Sequence, residues 1–461
     1  MRMTWCSPIF AAGVKESDVA RKKNGRDDDS RAIPTSRAGR LASMARMAGS
    51  VAGGMLAEGT RQLRAGKRPK ARDMLLTPGN ARRVAEQLST MRGAAMKVGQ
   101  ILSMDTGEFL PRELADILAR LRDDARYMPA AQLHSVMREA YGPEWETLFY
   151  NFTTKPLAAA SIGQVHKTIS PDGRQIVLKV QYPGVADSID SDVDNIASLL
   201  RLSGLLPAGF DLQPLLDDAK LQLKDEADYL KEAEFLQAFG DLLSDDKRFV
   251  LPEVLPELTH RNVLAMTYVN GSPIDTIIDL PQAERDRVMT ALIELMLLEL
   301  FELRMVQTDP NFANYQYRRQ TGEIVLLDFG ATRRFKAGFV NNYKKLARAA
   351  IKGDKEKLAA AAEKLGFAVG DIDSEYRDVV LNVLMIALEP LGTDAPYDFA
   401  RSTMARDLST LAENVSGYRD FWRAPPTDAV YFHRKVAGMY LLATRLKARV
   451  NVYQLVQRWL S

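Results

Sequence analysis

Residues 306–333 read VQTDPNFANYQYRRQTGEIVLLDFGATR, and the order of their polar groups sets the expectation for the whole fold. Asp309 is followed five positions later by Asn314, in a Pro-containing segment too irregular for a helix. Residues 323–327 are of strand type and end at Asp328-Phe329-Gly330. A strand ending in Asp-x-Gly is, taken alone, most often only a turn. An Asp/Asn pair shortly upstream suggests more. Hard oxygen ligands of this kind hold divalent ions that bridge phosphate oxygens, while a further carboxylate can face an attacking hydroxyl. The stretch is predicted to handle phosphate.

Size and composition allow such a site a large frame. The chain has 461 residues, 46% of them hydrophobic, enough for a two-lobed core with extensions. A single cysteine, Cys6, excludes a disulfide framework or thiolate cluster and fits a reducing compartment. His433, in a Lys/Arg-rich helix, is expected at the surface. Net charge is only +3, and no nucleic-acid partner is expected. Residues 7–14 make no convincing secretory signal, and no stretch reaches the roughly eighteen apolar residues of a spanning helix. The nearest, 291–306, is broken by Glu294, Glu299, Glu302 and Arg304 and reads as a buried helix. Residues 47–57 are apolar and precede Arg61, Arg64, Lys67, Arg68, Lys70 and Arg72. Two readings stand there: a solvated linker, or a peripheral contact with anionic lipid.

Along the chain, residues 1–40 are predicted disordered. Residues 41–145 are predicted all-helical, with a run from Ala81 through Met104, a helix over 112–123 and another from Pro129 to about Tyr141. The character changes near Phe152. Residues 156–164 lie between two strand-like runs, and Ser170-Pro171-Asp172-Gly173-Arg174 has the composition of a hairpin turn. Residues 175–181 form the next predicted strand and carry Lys179. Helices follow over 185–201 and 212–243, then strands near 250–255 and 262–269. Beyond Gly271-Ser272-Pro273 the chain is predicted helical to its end, apart from the site. The predicted division is therefore 1–40, 41–145, 146–271 and 272–461. The fold class is α+β.

Protein-kinase catalytic loops use the same order: a base Asp, a metal-binding Asn five residues on, then a DFG aspartate. A small sheet followed by a large helical region is also the order of a kinase N-lobe and C-lobe. Lys179 then occupies the position of the lysine that touches nucleotide phosphates. Without that context it could equally guard a sheet edge. Glu232 can pair with it, although Asp225, Glu226, Asp228 and Glu234 crowd the same helix.

Four motifs make the chain resemble the UbiB-like atypical kinases of ubiquinone (coenzyme Q) biosynthesis. Lys97-Val98-Gly99-Gln100 matches a KxGQ helix. Ala158-Ala159-Ala160-Ser161 matches an alanine-rich loop in place of the kinase glycine loop. Glu226-Ala227-Asp228 matches an ExD motif, with Glu232 six residues on, and residues 307–314 with 328–330 match the catalytic and metal motifs. The resemblance covers about residues 80–450. Two positions depart from the commonest pattern. QTDPNFAN lacks the histidines that flank the catalytic Asp-Pro in many members, and Thr267, in the hinge 266–269, replaces an acidic residue.

The resemblance implies a protein kinase-like two-lobed fold, small N-lobe sheet and large helical C-lobe, with an N-terminal all-helical extension. It implies ATP or ADP with Mg²⁺ as cofactors. Asp309 would be the base or water-positioning group, Lys179 and Glu232 would orient phosphates, and Asn314 and Asp328 would hold metal. Ala158, Ala159, Ala160, Ser161, Met266 and Tyr268 would line the nucleotide site. Lys97, Gln100, Glu226 and Asp228 would be regulatory, the KxGQ helix covering the face where a protein substrate docks. Alanines in place of glycines narrow the loop's φ range and alter the phosphate pose; the bland alternative is a loop that merely packs.

The implied function is an atypical kinase or ATPase supporting ubiquinone biosynthesis, with quinone-precursor or anionic lipids and ubiquinone-biosynthesis proteins as partners. The expected location is cytoplasmic, peripheral at the inner face of the membrane. A second reading is a nucleotide-gated scaffold that organises biosynthetic or lipid-handling proteins at a membrane surface. A third, an aminoglycoside-type phosphotransferase, shares the Asp/Asn/Asp logic but lacks KxGQ and ExD.

Overall fold

The computed structural model describes residues 49, 53–54, 57–64, 93–95, 97–98, 127–203, 212–309, 311–367, 374–415 and 426–460. The predicted disorder of 1–40, the helix over 112–123, Gln100 and most of the basic run up to residue 72 lie outside them. Of the run over 81–104, residues 93–95, 97 and 98 are described, and they are helical.

The first sheet grows from a hairpin. After α1 (Ala130–Tyr141), β1 (Ala158–Ala159), β2 (Gly163–Ile169) and β3 (Gln175–Gln181) follow in turn. Gly173 takes a φ of +87° in the β2–β3 turn, which only glycine adopts without strain. The run expected before Pro156 is not a strand, apart from one bridge between Tyr150 and Ile169. With β5 (Val263–Thr267) the sheet order is β1-β2-β3-β5, antiparallel throughout.

Strand periodicity then places Lys179. Alternate side chains of β3 leave on opposite faces. Ile176, Leu178 and Val180 pack beside Leu133 and Met137 of α1. Val177 enters the larger core with Leu236 and Phe239. Lys179, two positions on, shares the face of Val177. Both faces of the strand are thus covered, which is why it reads as one apolar run.

Two helices cross from this sheet to the rest of the chain. After α2 (Val185–Ser203) the predicted helix over 212–243 is broken in two, α3 (Gln213–Glu226) and α4 (Tyr229–Leu242). Asp228 ends the continuity: with φ −106° and ψ 91° it leaves the helical region and accepts from the Lys231 N–H as an N-cap. The strand expected over 250–255 is likewise corrected. Only Phe249–Val250 (β4) is a strand; Val254 adds a single bridge to Met266 of β5, and Pro252 and Pro256 on either side have no N–H to extend it.

The second part has its own small sheet, order β4-β9-β8-β6, from β6 (Ser272–Pro273), β8 (Tyr315–Tyr317) and β9 (Ile324–Leu326). Beside it β7 (Met305–Gln307) pairs antiparallel with β10 (Thr332–Arg334). α5 (Gln282–Leu298) runs into a π-helical turn, Glu299–Leu303, and Arg304 at φ 51° turns the chain into β7. Helices α6 (Ala337–Ile351), α7 (Lys355–Lys364), α8 (Ser374–Ala387), α9 (Met404–Val415), α10 (Thr427–Arg445) and α11 (Val452–Leu460) complete it. The expectation of helix alone here misses one more strand pair, β11 (Tyr397–Asp398) with β12 (Arg449–Val450). Among the described residues no helix is long and apolar enough to cross a membrane.

Candidate functional site

The site forms where β3, α4 and the end of β9 converge. Lys179 Nζ donates to both oxygens of Glu232, at 2.8 and 2.9 Å, and to Asp328 Oδ2 at 3.1 Å. One ammonium therefore joins a strand, a helix and the Asp-Phe-Gly turn. Phe329 reinforces the join, its ring 4.8 Å from that of Phe239 on α4. Gly330 lets the turn sit close: a Cβ there would lie 3.2 Å from the Glu232 carboxylate and 3.4 Å from Asp328 Oδ1. Its N–H donates to Asp328 Oδ1 at 3.0 Å.

Charge in this cluster is set by burial and by the neighbours. Burial works against the Lys179 ammonium, but Asp328 and Glu232 outweigh it and hold its pKa well above the usual lysine value. Burial pushes the Glu232 carboxyl up to about 7, against the pull of Lys179. Partial burial of Asp328 is outweighed by Lys179 and the Gly330 N–H, which keep its carboxyl below the ordinary range. Glu232 is 2% exposed, whereas about a third of the Asp328 side chain faces solvent. Asp328 is the carboxylate of the pair open to a ligand.

Asp309 and Asn314 lie on the loop between β7 and β8. Asn314 Nδ2 donates to Asp309 Oδ2 at 2.8 Å, so the atom it can offer a cation is its Oδ1. The loop is pinned at both sides: Thr308 N–H donates to Ala331 O at 3.1 Å, and Leu327 N–H to Asn314 O at 3.0 Å. Asp328, Asn314 and Asp309 thus come from segments tied directly to one another. No three His, Cys, Asp or Glu side chains among the described residues form a ready metal cage. That donor set suits Mg²⁺, which binds one or two carboxylates and shares its remaining positions with water and substrate phosphate.

The predicted nucleotide-lining residues are tied into the first sheet. Ala158 and Ala159 form β1, and the Ala160 N–H donates to Gly163 O at 2.9 Å, closing a tight turn. The Tyr268 N–H is committed to Gln175 O at 2.9 Å, and Lys167 Nζ lies 3.5 Å from its ring centroid. Met266 is buried in β5. Thr267 bonds both ways to Glu253: its N–H donates to Glu253 O, and its Oγ1 accepts from the Glu253 N–H, each at 2.8 Å.

Of the predicted regulatory set, the structure joins Lys97 to Glu226 and leaves Asp228 elsewhere. Lys97, 3% exposed, donates to Glu226 Oε1, while Ser161 Oγ donates to Glu226 Oε2 at 3.0 Å. Glu226 therefore ties the helical residues 93–95, 97 and 98 to the alanine loop. Gly93 seats these residues closely, since a Cβ there would fall 2.8 Å from Ile162 Cγ2 and 3.0 Å from Ser161 O. Asp228 is the α4 cap instead, and Lys97 is paired with Glu226.

Sequence reasoning missed a second polar cluster, beneath the Asp309 loop. His433, expected at the surface, bonds through Nε2 to the Tyr343 hydroxyl at 2.7 Å and stacks on Phe367. Lys435, two residues on, is 2% exposed and contacts Glu299, Gln307 and Tyr315. A signal was present: Phe432, Lys435, Met439 and Leu442 fall on one helical stripe, which puts a charge on an apolar face.

Comparison with known proteins follows the same lines. The ABC1 atypical kinase-like domain matches residues 120–362. Atypical kinase COQ8, mitochondrial, of Saccharomyces cerevisiae is 36% identical over 446 residues, covering 95% of this chain and 88% of that one. Atypical kinase coq-8, mitochondrial, of Caenorhabditis elegans is 39% identical over 428 residues, 91% of this chain. Those residues make up 56% of the nematode protein, so the match spans little more than half of that relative. Among solved structures, the Rv3197–erythromycin complex from Mycobacterium tuberculosis has a TM-score of 0.56 at 27% identity, over 82% of this chain and 96% of that one.

Proposed function

The chain belongs to the ABC1 atypical kinase-like family, with its kinase-like fold, and from that premise we propose an ATP-binding, Mg²⁺-dependent atypical kinase or ATPase supporting ubiquinone biosynthesis. The observation that carries this reading is the Lys179 ammonium held at once by Glu232 and Asp328. A lysine aimed by a helix glutamate and adjoining the Asp-Phe-Gly aspartate is the arrangement that orients nucleotide phosphates.

In this reading Asp328 and Asn314 Oδ1 would hold Mg²⁺, which when bound would supply positive charge against that developing on the phosphate. Lys179 binds the phosphates it is aimed at, and Glu232 keeps it charged and in place. Asp309, oriented by the Asn314 amide, accepts the proton of an attacking hydroxyl or positions a water. The hairpin of Ala158, Ala159, Ala160 and Ser161 covers the phosphates with a stiffer loop than glycines would give. Segment 93–98, held by Lys97 and Glu226, stands where a protein hydroxyl would approach, which favours ATP hydrolysis or a small acceptor. Basic residues over 61–72 supply a peripheral contact with anionic lipid, beside quinone-precursor lipids and biosynthetic proteins as partners.

Thermal-shift titration tests the nucleotide site. ATP or ADP with Mg²⁺ is expected to raise the melting temperature, because a ligand that binds only the native state stabilises it. Asp328→Asn is expected to reduce the Mg²⁺-dependent part of that shift, since one anionic oxygen is lost. Equal shifts for both proteins, with and without Mg²⁺, would refute the metal assignment. Cellular ubiquinone in a strain lacking the gene tests the rest: wild type should restore it and Asp328→Asn should not. Rescue by the variant would favour a nucleotide-gated scaffold.

A further inference from the structure

We infer that Lys435 is a positioning residue: its buried ammonium clamps both ends of the loop that carries Asp309 and Asn314. The inference rests on that loop belonging to a phosphoryl-transfer site. Lys435 Nζ donates to Gln307 Oε1 at 3.2 Å and to the Tyr315 hydroxyl at 2.8 Å, and it pairs with Glu299 Oε2 at 3.6 Å. Gln307 lies two residues before Asp309, and Tyr315 lies immediately after Asn314. One side chain thus reaches the last residue of β7 and the first of β8, the two points between which the loop is strung. Two of its three N–H donors are hydrogen-bonded, and the Glu299 carboxylate faces the ammonium as an ion pair.

The partners are themselves fixed. Tyr315 pairs with Leu326 across β8 and β9, two residues before Asp328. Gln307 pairs with Thr332 across β7 and β10, on the far side of the Asp-Phe-Gly turn. Glu299 sits in the π-helical turn that ends α5, the kind of local insertion that re-aims a side chain at functional sites. Lys435, Glu299, Gln307 and Tyr315 are each 4% exposed or less.

The energetics argue that the cluster is not kept for stability. Removing two charges from water costs more than their attraction usually returns, and apolar replacement of a whole buried pair is often neutral or stabilising. What the pair supplies is a directional tie between α10, α5 and the two strand ends, which an apolar core would leave free to slide. Glu299 keeps the ammonium compensated, and the ammonium holds the loop.

The test separates stiffness from stability and from chemistry. In Lys435→Met/Glu299→Gln both charges go while volume and most polarity stay, so the melting temperature is expected near that of wild type. Hydrogen exchange of peptides covering 307–315, without nucleotide, is expected to quicken about tenfold or more while peptides over 175–181 stay unchanged. ATP turnover is expected to show a kcat about tenfold lower or less, with KM for ATP altered by under about threefold. Tyr315→Phe removes one hydroxyl only and should give the same pattern in smaller measure, so a misfolded double variant still leaves a decision. Unchanged exchange over 307–315 in a folded variant overturns the clamp, as does quickened exchange with unaltered kcat. If wild type neither hydrolyses ATP nor shifts with it, the phosphoryl-transfer reading fails on that result. The exchange data then decide the clamp alone.

Discussion

Lys179 compensates two carboxylates, so its removal should be felt through what it leaves behind. Taking one partner from a buried ion pair typically costs about 3–5 kcal/mol, because the remaining charge stays buried without compensation. Glu232 has a way out: it already sits at about 7 beside the ammonium, and without it the carboxyl rises further. Between the unfolded value near 4.5 and that raised value, the folded state keeps a proton that the unfolded state has released. Stability therefore falls as pH rises through the window. Lys179→Met should destabilise by about 3 kcal/mol at about pH 8 and by clearly less at about pH 5.5, read by urea unfolding. An equal loss at both values would mean that Glu232 is not the group left buried. The pair itself was legible, since a lysine in an apolar strand and an acid on a following helix are what the kinase order requires. Choosing Glu232 over its acidic neighbours rested on the family resemblance and not on the chemistry of the residues. The physical reason is the break at Asp228, which sets the phase of α4.

That break shows where element-scale patterns mislead. Residues 212–243 contain no proline inside their apolar period beyond Pro214, so nothing in the periodicity halts the helix. The stop comes from Asp228, whose side chain competes for the Lys231 N–H and so favours a cap over a helix interior. Because α4 carries Glu232, the cap also sets where that carboxylate points. Asp228→Ala should cost about 1 kcal/mol, and Asp228→Asn only a few tenths, since its amide oxygen accepts equally well. Chemical denaturation of the two variants separates a cap from a charge effect: comparable losses in both would favour the charge. β3, by contrast, could be read directly, with its hairpin turn marked by proline and glycine and its bounds at 175–181 as expected. The stretch 250–255 could not. Its apolar residues look like a strand, and the two prolines that deny the ladder its donors weigh more than the side chains do. The α10 helix misled through composition: three consecutive residues, His433, Arg434 and Lys435, suggested solvent, yet Arg434 and Lys435 are buried and His433 packs against Tyr343 and Phe367.

At the scale of the whole molecule, Glu226 joins parts that lie far apart in the chain. It takes Lys97 from the N-terminal segment on one oxygen and Ser161 of the alanine loop on the other. The Lys97 charge also reaches Asp328, whose carboxyl it helps to keep low. A lysine that is nearly fully buried and committed to a glutamate is poorly placed to bind phosphate as well. Its effect on phosphotransfer should therefore run through the segment it holds. If segment 93–98 blocks the approach of a protein hydroxyl to Asp309, releasing it opens that approach. Lys97→Ala should then raise autophosphorylation in cis above the wild-type level while lowering the native activity, the reverse of what deleting a catalytic lysine does. The double variant Lys97→Ala/Asp328→Asn should lose the gain, because the added label must still pass through the site that Asp328 belongs to. Incubating the three proteins with labelled ATP checks both signs. No added label in Lys97→Ala would mean the segment does not gate the site, and equal label in the double variant would place the transfer elsewhere.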